Sequence, residues 1–155
     1  MPPFDPLDPS ATRTTSIMRV RFCDTDLMGI VHHANYFAYF EIGRVEWLRR
    51  RGVTYASWAA RGMHLPVVDA QIRYRAPARF DDVIEVDTML AELRAASLRF
   101  DYRIHRAAPD GKLLIAEGST RLACIDGTHA VRRFTDEMLA VLTSPEKSPD
   151  SPLVQ

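Results

Sequence analysis

Hydrophobic and polar positions along this chain change period twice. From Ile17 to Cys23 they alternate, with Met18, Val20 and Phe22 on one side and Arg19 and Arg21 on the other, which is the pattern of a half-buried strand. From Ala34 to Arg51 the spacing becomes helical. No proline interrupts the run and Gly52 supplies a stop, so the predicted helix has about five turns and a length of about 27 Å. On a helical wheel Ala34, Phe37, Ala38, Val45 and Leu48 form one apolar stripe, and Tyr36, Phe40 and Trp47 form a second stripe roughly 150° away. A helix that is apolar on two sides needs to be wrapped. After a short helical stretch at Tyr55–Gly62, period two returns over Leu65–Arg75, Val83–Leu93, Ser97–Arg106 and Leu113–Ile125. The third of these sets Leu98, Phe100, Tyr102 and Ile104 against Arg99, Asp101, Arg103 and His105, and Pro109-Asp110-Gly111 marks the hairpin that follows it. One strand, one long helix and a four-stranded meander predict an α+β fold, with an antiparallel sheet of about five strands curved around one central helix.

Composition narrows the partners. At 155 residues the chain is about one domain long. Prolines crowd both ends, at Pro2, Pro3, Pro6 and Pro9 and again at Pro145, Pro149 and Pro152, so 1–15 and 143–155 are expected to be disordered tails around a folded unit, 16–142. With 20 basic and 20 acidic residues there is no long-range field of one sign, which argues against nucleic acid as a partner. An anionic ligand would have to be met by local cations. Cys23 and Cys124 have no paired spacing of the kind that builds a zinc site or a disulfide framework. Neither a secretory leader pattern nor an apolar run of ~20 residues is found, so a cytoplasmic location without a membrane span is expected.

The junction between the first strand and the helix carries the chemistry. Asp24, Asp26 and Gly29 lie where the strand ends, and a helix starting near Ala34 leaves backbone N–H groups unsatisfied beside them. Those groups carry partial positive charge and can polarise a carbonyl or hold an oxyanion. A nearby carboxylate could then act as nucleophile or activate water. The competing reading is that Asp24 or Asp26 simply caps a turn or the helix, and residue types alone leave both open. Glu41 falls in the middle of the first apolar stripe, where a carboxylate needs a partner or a cleft. His32 and His33 could suggest a metal, but adjacent residues on an extended segment point opposite ways and no third ligand stands at metal spacing. There is no Gly-x-Ser-x-Gly elbow, no phosphate-cradling glycine loop and no dinucleotide fingerprint, and nothing in the sequence asks for a cofactor.

Phe22-Cys-Asp-Thr-Asp-Leu-Met-Gly-Ile-Val-His-His-Ala-Asn-Tyr36, followed by Phe40-Glu-Ile-Gly-Arg-Val-Glu-Trp-Leu48, resembles the signature of hotdog-fold acyl-CoA thioesterases of the 4-hydroxybenzoyl-CoA thioesterase type, including those associated with the Tol-Pal system. Tyr74-Arg-Ala-Pro-Ala-Arg-Phe-Asp-Asp-Val83 resembles a further stretch of that family. The resemblance implies an acyl-CoA substrate, with Asp26 as the catalytic carboxylate and the backbone at the helix N-terminus near His33 polarising the thioester carbonyl. Gly29 and Glu41 become supporting residues. It also implies a homodimer or homotetramer with active sites at subunit interfaces, and substrate contacts at Tyr36, Arg94, Ser97 and Arg99. At that nucleotide-binding turn Ala95 and Ala96 stand in place of a more basic run, and Arg132 and Arg133 are a second cationic pair. Phe37, Tyr39, Phe40, Trp58 and Met63 are further candidates to line an acyl pocket. Two other activities fit the same fold: a dehydratase or hydratase acting on carrier-bound acyl chains, and non-catalytic binding of acyl-CoA or an acyl-carrier protein.

Overall fold

The computed structural model describes residues 7–147. After a one-turn helix, α1 (Pro9–Thr12), the chain runs through β1 (Arg13–Arg19), the long helix α2 (Asn35–Arg49) and a short α3 (Tyr55–Ala60). Four strands follow, β2 (Val67–Tyr74), β3 (Val83–Leu93), β4 (Ser97–Ala108) and β5 (Gly111–Ala123), and then α4 (Asp136–Leu142). All pairings are antiparallel, in the order β1-β3-β4-β5-β2. The β4–β5 hairpin turns where Pro109 and Asp110 predict it, with Gly111 at φ +120, a conformation that a side chain would resist.

Alternation builds the inner face of the sheet. Ile84, Val86, Leu90, Leu98, Phe100, Tyr102 and Ile104 are all buried, and α2 lies against them. Phe40 stacks on Tyr102 with ring centroids 4.2 Å apart, and Trp47 meets Phe100 edge-on at 5.2 Å. Gly43 lets the helix approach closely, because a Cβ there would collide with the Thr88 hydroxyl.

Three expectations need correction. The first strand begins at Arg13 and ends at Arg19, so Phe22 and Cys23 belong to a 3-10 turn and Phe22 is 78% exposed. Its inward residues before Met18 are Thr14 and Ser16, polar side chains that hydrophobic patterning does not register. Residues 9–15 and 143–147, assigned by composition to the tails, are built into the domain, while 1–6 and 148–155 lie outside the described residues. The reason is Arg51, fully buried, whose guanidinium donates to the carbonyls of Ala11 (2.8 Å), Trp47 (3.0 Å) and Ser144 (2.9 Å) and to the Thr14 hydroxyl (3.0 Å). It also stacks 3.5 Å from the Trp47 ring centroid. Burial pulls its pKa down to about 10, so it remains a cation at neutral pH and ties Ala11, Thr14 and Ser144 to the end of α2.

The third correction concerns the face of α2. The stripe of Tyr36, Phe40 and Trp47, with Tyr39 and Gly43, is buried on the sheet, whereas Phe37, Ala38 and Glu41 are exposed. One helix face is enough to cover this chain's own sheet. The neighbouring edge strand β2 is also open along its length, with Val67, Val68 and Tyr74 exposed and only Ile72 half-buried.

Candidate active site

The segment from Val20 to Ala34 is a short hairpin set between β1 and α2. Val20 is held to the start of β3 by backbone bonds with Asp81 and Asp82, and Val31 N–H donates to Ala78 (2.8 Å). Its two arms pair through the Thr25–Val31 bridge and through His32 N–H to the Asp24 carbonyl (2.9 Å). Asp26 and the residues before α2 therefore stand on opposite arms of one rigid turn.

The two acids have separated roles. Asp24 is 3% exposed, and its carboxylate accepts from the Arg21 N–H (3.0 Å), the Arg21 guanidinium (2.8 Å) and the Tyr39 hydroxyl (2.9 Å). Burial alone would raise its pKa, but the Arg21 and Tyr39 hydrogen bonds outweigh it and hold the carboxyl below its ordinary value. Burial and the bond to Asp24 raise the Tyr39 phenol. Asp24 is thus the capping acid.

Asp26 sits in a turn for which the chain provides an internal comparison. In Asp26–Ile30, the Asp26 N–H donates to the Ile30 carbonyl (3.0 Å), Gly29 N–H to the Asp26 carbonyl (2.9 Å) and Met28 N–H to Asp26 Oδ1 (2.8 Å), with Gly29 at φ +73. In Asp126–Ala130 the same bonds recur: Asp126 N–H to Ala130 (3.0 Å), His129 N–H to Asp126 (2.9 Å) and Thr128 N–H to Asp126 Oδ1 (2.8 Å), with His129 at φ +65. The difference lies in the carboxylate. Asp126 also accepts from the Thr128 hydroxyl, the Ala130 N–H and the Arg132 guanidinium, which depress its pKa strongly. Asp26 Oδ2 has no partner among the described residues.

The backbone opposite is arranged in a complementary way. His32 O accepts from Asn35 N–H (2.9 Å), and His33 O accepts from the Tyr74 hydroxyl (2.8 Å). Ala34 N–H donates to His32 Nδ1 (3.2 Å), and Asn35 Nδ2 donates to the Asp24 carbonyl (2.7 Å). The His33 N–H has no acceptor among the described residues. The open His33 N–H and the open Asp26 oxygen therefore occur on the same hairpin, the kinds of group that general-base or nucleophilic attack on a carbonyl requires. The His32 and His33 rings lie 4.2 Å apart rather than on opposite sides, because the chain is already turning into α2. Among the described residues no group of His, Cys, Asp and Glu is placed to hold a metal.

Other expected site residues are more distant or differently placed. Arg94, Ser97 and Arg99 lie at the β3–β4 turn, where Arg94 N–H donates to the Ser97 carbonyl (2.8 Å) and Glu92 takes Arg94 and Arg121 by hydrogen bonds. Arg99 pairs with Asp101 at 3.0 Å. The whole of β3, 11 residues or roughly 35 Å, separates this turn from the Asp26 hairpin, so the structure does not bring the two together within one chain. Glu41 is exposed on α2 without an ion pair among the described residues, on the stripe that this chain's own sheet leaves uncovered. Tyr36 is 3% exposed, packed edge-on between Tyr39 and Tyr74. Tyr39, Phe40 and Trp58 are likewise core residues, Met63 is half-buried and Phe37 faces outward. Arg132 is engaged by Asp126. A trough of about 740 Å³ crosses the outer face of the sheet between Arg13, Asp87, Arg103, His105 and Glu117, away from Asp26. The Tyr74–His33 bond and the Asp24 clamp were missed by sequence reasoning, since nothing in residue spacing links positions 41 apart.

Residues 20–142 match the family described as the thioesterase-like superfamily. The chain belongs to that superfamily. As a thioesterase-family protein it is 35% identical over 109 residues to the acyl-CoA thioester hydrolase YbgC of Escherichia coli, covering 70% of this chain and 79% of that one. A hypothetical protein of Thermus thermophilus, known by crystal structure, matches with TM-score 0.78 and 41% identity over 83% of this chain and 96% of that chain. A variant of 4-hydroxybenzoyl-CoA thioesterase complexed with 4-hydroxybenzoyl-CoA has TM-score 0.76 at 20% identity, over 85% of this chain and 99% of that chain, a likeness of fold alone. The thioesterase-like chain accordingly has the expected hotdog architecture, an antiparallel sheet around a central helix. Among the described residues no helix is long and apolar enough to cross a membrane.

Proposed function

We propose that this protein hydrolyses an acyl-CoA thioester at the Asp26–His33 hairpin. The carrying observation is the contrast between two matched turns: Asp126 has its carboxylate filled by local donors, whereas Asp26 keeps Oδ2 open on the same hairpin as an unpaired His33 N–H. With the thioester carbonyl oxygen on that N–H, Asp26 either attacks the carbonyl carbon or takes a proton from a water that does so. The C–S bond breaks in both routes, coenzyme A leaves as the thiolate and is protonated, and the acyl group departs as a carboxylate after water has entered. Gly29 supports the turn by supplying its positive φ. The name of the Escherichia coli relative favours acyl-CoA as the substrate class.

The active unit is a homodimer or a pair of dimers. This reading is supported by the exposed Phe37–Ala38–Glu41 face of α2 and the open edge of β2, apolar and hydrogen-bonding surfaces that a second copy would cover. It also answers the distance problem, because a second subunit can bring its Arg94, Ser97 and Arg99 to phosphates that the chain's own turn cannot reach. Glu41 and the Tyr36 end of α2 then border the acyl site from the helix side.

Asp26→Asn tests the assignment cleanly, since an asparagine oxygen can still accept the Met28 N–H and keep the turn. Thiol release from benzoyl, short, medium and long acyl-CoAs should fall about 10²- to 10⁴-fold at unchanged melting temperature. Retained hydrolysis removes Asp26 from the mechanism. Hydration of an enoyl thioester without thiol release, or tight binding without turnover, assigns one of the other activities.

A further inference from the structure

Three tyrosines form a row under the catalytic hairpin. Tyr74 on β2 meets Tyr36 edge-on at 5.3 Å, and Tyr36 meets Tyr39 edge-on at 5.7 Å. The hydroxyls at the two ends of the row reach the two ends of the hairpin: Tyr39 donates to the Asp24 carboxylate at 2.9 Å, and Tyr74 donates to the His33 carbonyl at 2.8 Å. Along the chain, Asp26 and the open His33 N–H fall between those anchors.

Only one of the two anchors is backed up. Asp24 keeps the Arg21 guanidinium and the Arg21 N–H if Tyr39 is removed, and its own carbonyl is bonded by His32 N–H and Asn35 Nδ2. The His33 carbonyl has Tyr74 alone among the described residues. That carbonyl follows the residue whose N–H would face substrate, and the preceding carbonyl, His32 O, is fixed by Asn35 N–H. The His33 N–H shares its peptide plane with His32 O, while Tyr74 holds the next plane, whose Ala34 N–H donates to His32 Nδ1; the Tyr74 bond therefore fixes the backbone rotation at His33 that joins the two planes.

We propose that Tyr74 is a positioning residue for the thioesterase reaction, holding the His33 carbonyl from the edge strand so that the two peptide planes meeting at His33 keep the relative orientation in which its N–H points at the carbonyl oxygen of the substrate. The tie crosses from the outermost strand to the helix start, and so makes the oxyanion donor depend on where β2 lies. Tyr74 is 45% exposed and contributes little core area, so loss of its hydroxyl leaves the fold in place.

This inference rests on the assignment of Asp26 and His33 above, and the experiment separates the two. Tyr74→Phe keeps the ring against Tyr36 and deletes only the donor. On an acyl-CoA that the wild-type protein hydrolyses, kcat should fall about tenfold, as a misdirected group does, while KM moves less than about twofold. The melting temperature should stay within about 2 °C. A kcat equal to that of wild type, or a loss of kcat accompanied by an equal loss of stability, overturns the proposal. In parallel, the backbone carbonyl resonance of His33 and the amide of Ala34 are followed by NMR without substrate. A change in Tyr74→Phe confined to residues 32–35 supports the tie, and unchanged resonances reject it. If wild type releases no thiol from any acyl-CoA, the functional assignment fails on its own, and the NMR result still decides whether Tyr74 holds His33.

Discussion

Two aspartates a hundred residues apart occupy the same kind of turn, and their hydrogen bonds make opposite predictions for loss of the carboxylate. Asp126 is held by Thr128, Ala130 and Arg132, so Asp126→Ala should lower the melting temperature and leave thiol release per folded molecule unchanged. Asp26→Asn should do the reverse, and calorimetry alongside a thiol assay on both variants reads the crossover. Asp24 adds a dependence on pH. Its folded pKa lies below the unfolded carboxylate value of about 3.9, so its stabilisation is fully present above that value and is lost as pH falls through the lower, folded one. The melting-temperature gap between wild type and Asp24→Asn should therefore be constant from pH 5 to 7, within the ordinary range of such titrations, and narrow below about pH 4. At this scale residue types could name both acids but not divide them, and only the family resemblance singled out Asp26. Asp24 and Asp26 differ in role because Tyr39, fifteen positions on, reaches only Asp24.

Elements were legible where one face alternates and obscure where two faces compete. β3, β4 and β5 follow their inward Val, Ile, Leu and Phe positions closely, and the β3 limits agree with the predicted ones at both ends. For α2 the wheel found two apolar stripes without telling which one its own sheet would take. That choice depends on Gly43, whose missing Cβ lets the helix settle against Thr88 and Val86. Gly43→Ala should cost about 1–3 kcal/mol by chemical denaturation, more than an alanine's better helix propensity returns. Residues 9–15 and 143–147 were assigned to tails for a related reason, because composition sees prolines and charges but not the buried cation that holds Ala11, Thr14 and Ser144. Arg51→Met should leave the carbonyls of Ala11, Trp47 and Ser144 without their donor and destabilise by at least about 2 kcal/mol. Hydrogen exchange in 9–15 and 143–147 should accelerate before that of the sheet.

At the scale of the whole molecule, the apolar residues left outside are as informative as those inside. Val67 and Val68 on β2 and Phe37 on α2 are exposed, and if the proposed dimer forms through β2, Val68→Lys should convert it to monomers in light scattering while the monomer keeps its sheet. The length of β3 has a genetic meaning as well. If the cationic turn at Arg94 serves the Asp26 of a neighbouring subunit, a mutation in one and a mutation in the other damage the same site only when they sit on different chains of that site. Asp26→Asn protein and Arg94→Glu/Arg99→Glu protein are then each inactive alone, yet in a mixed dimer one site collects both lesions and the other is wild type. Co-refolding equal amounts should restore roughly a quarter of wild-type turnover, since half of the dimers are mixed and each has one intact site. Two defective alleles would complement each other in one cell, an outcome that a site built within a single chain cannot give.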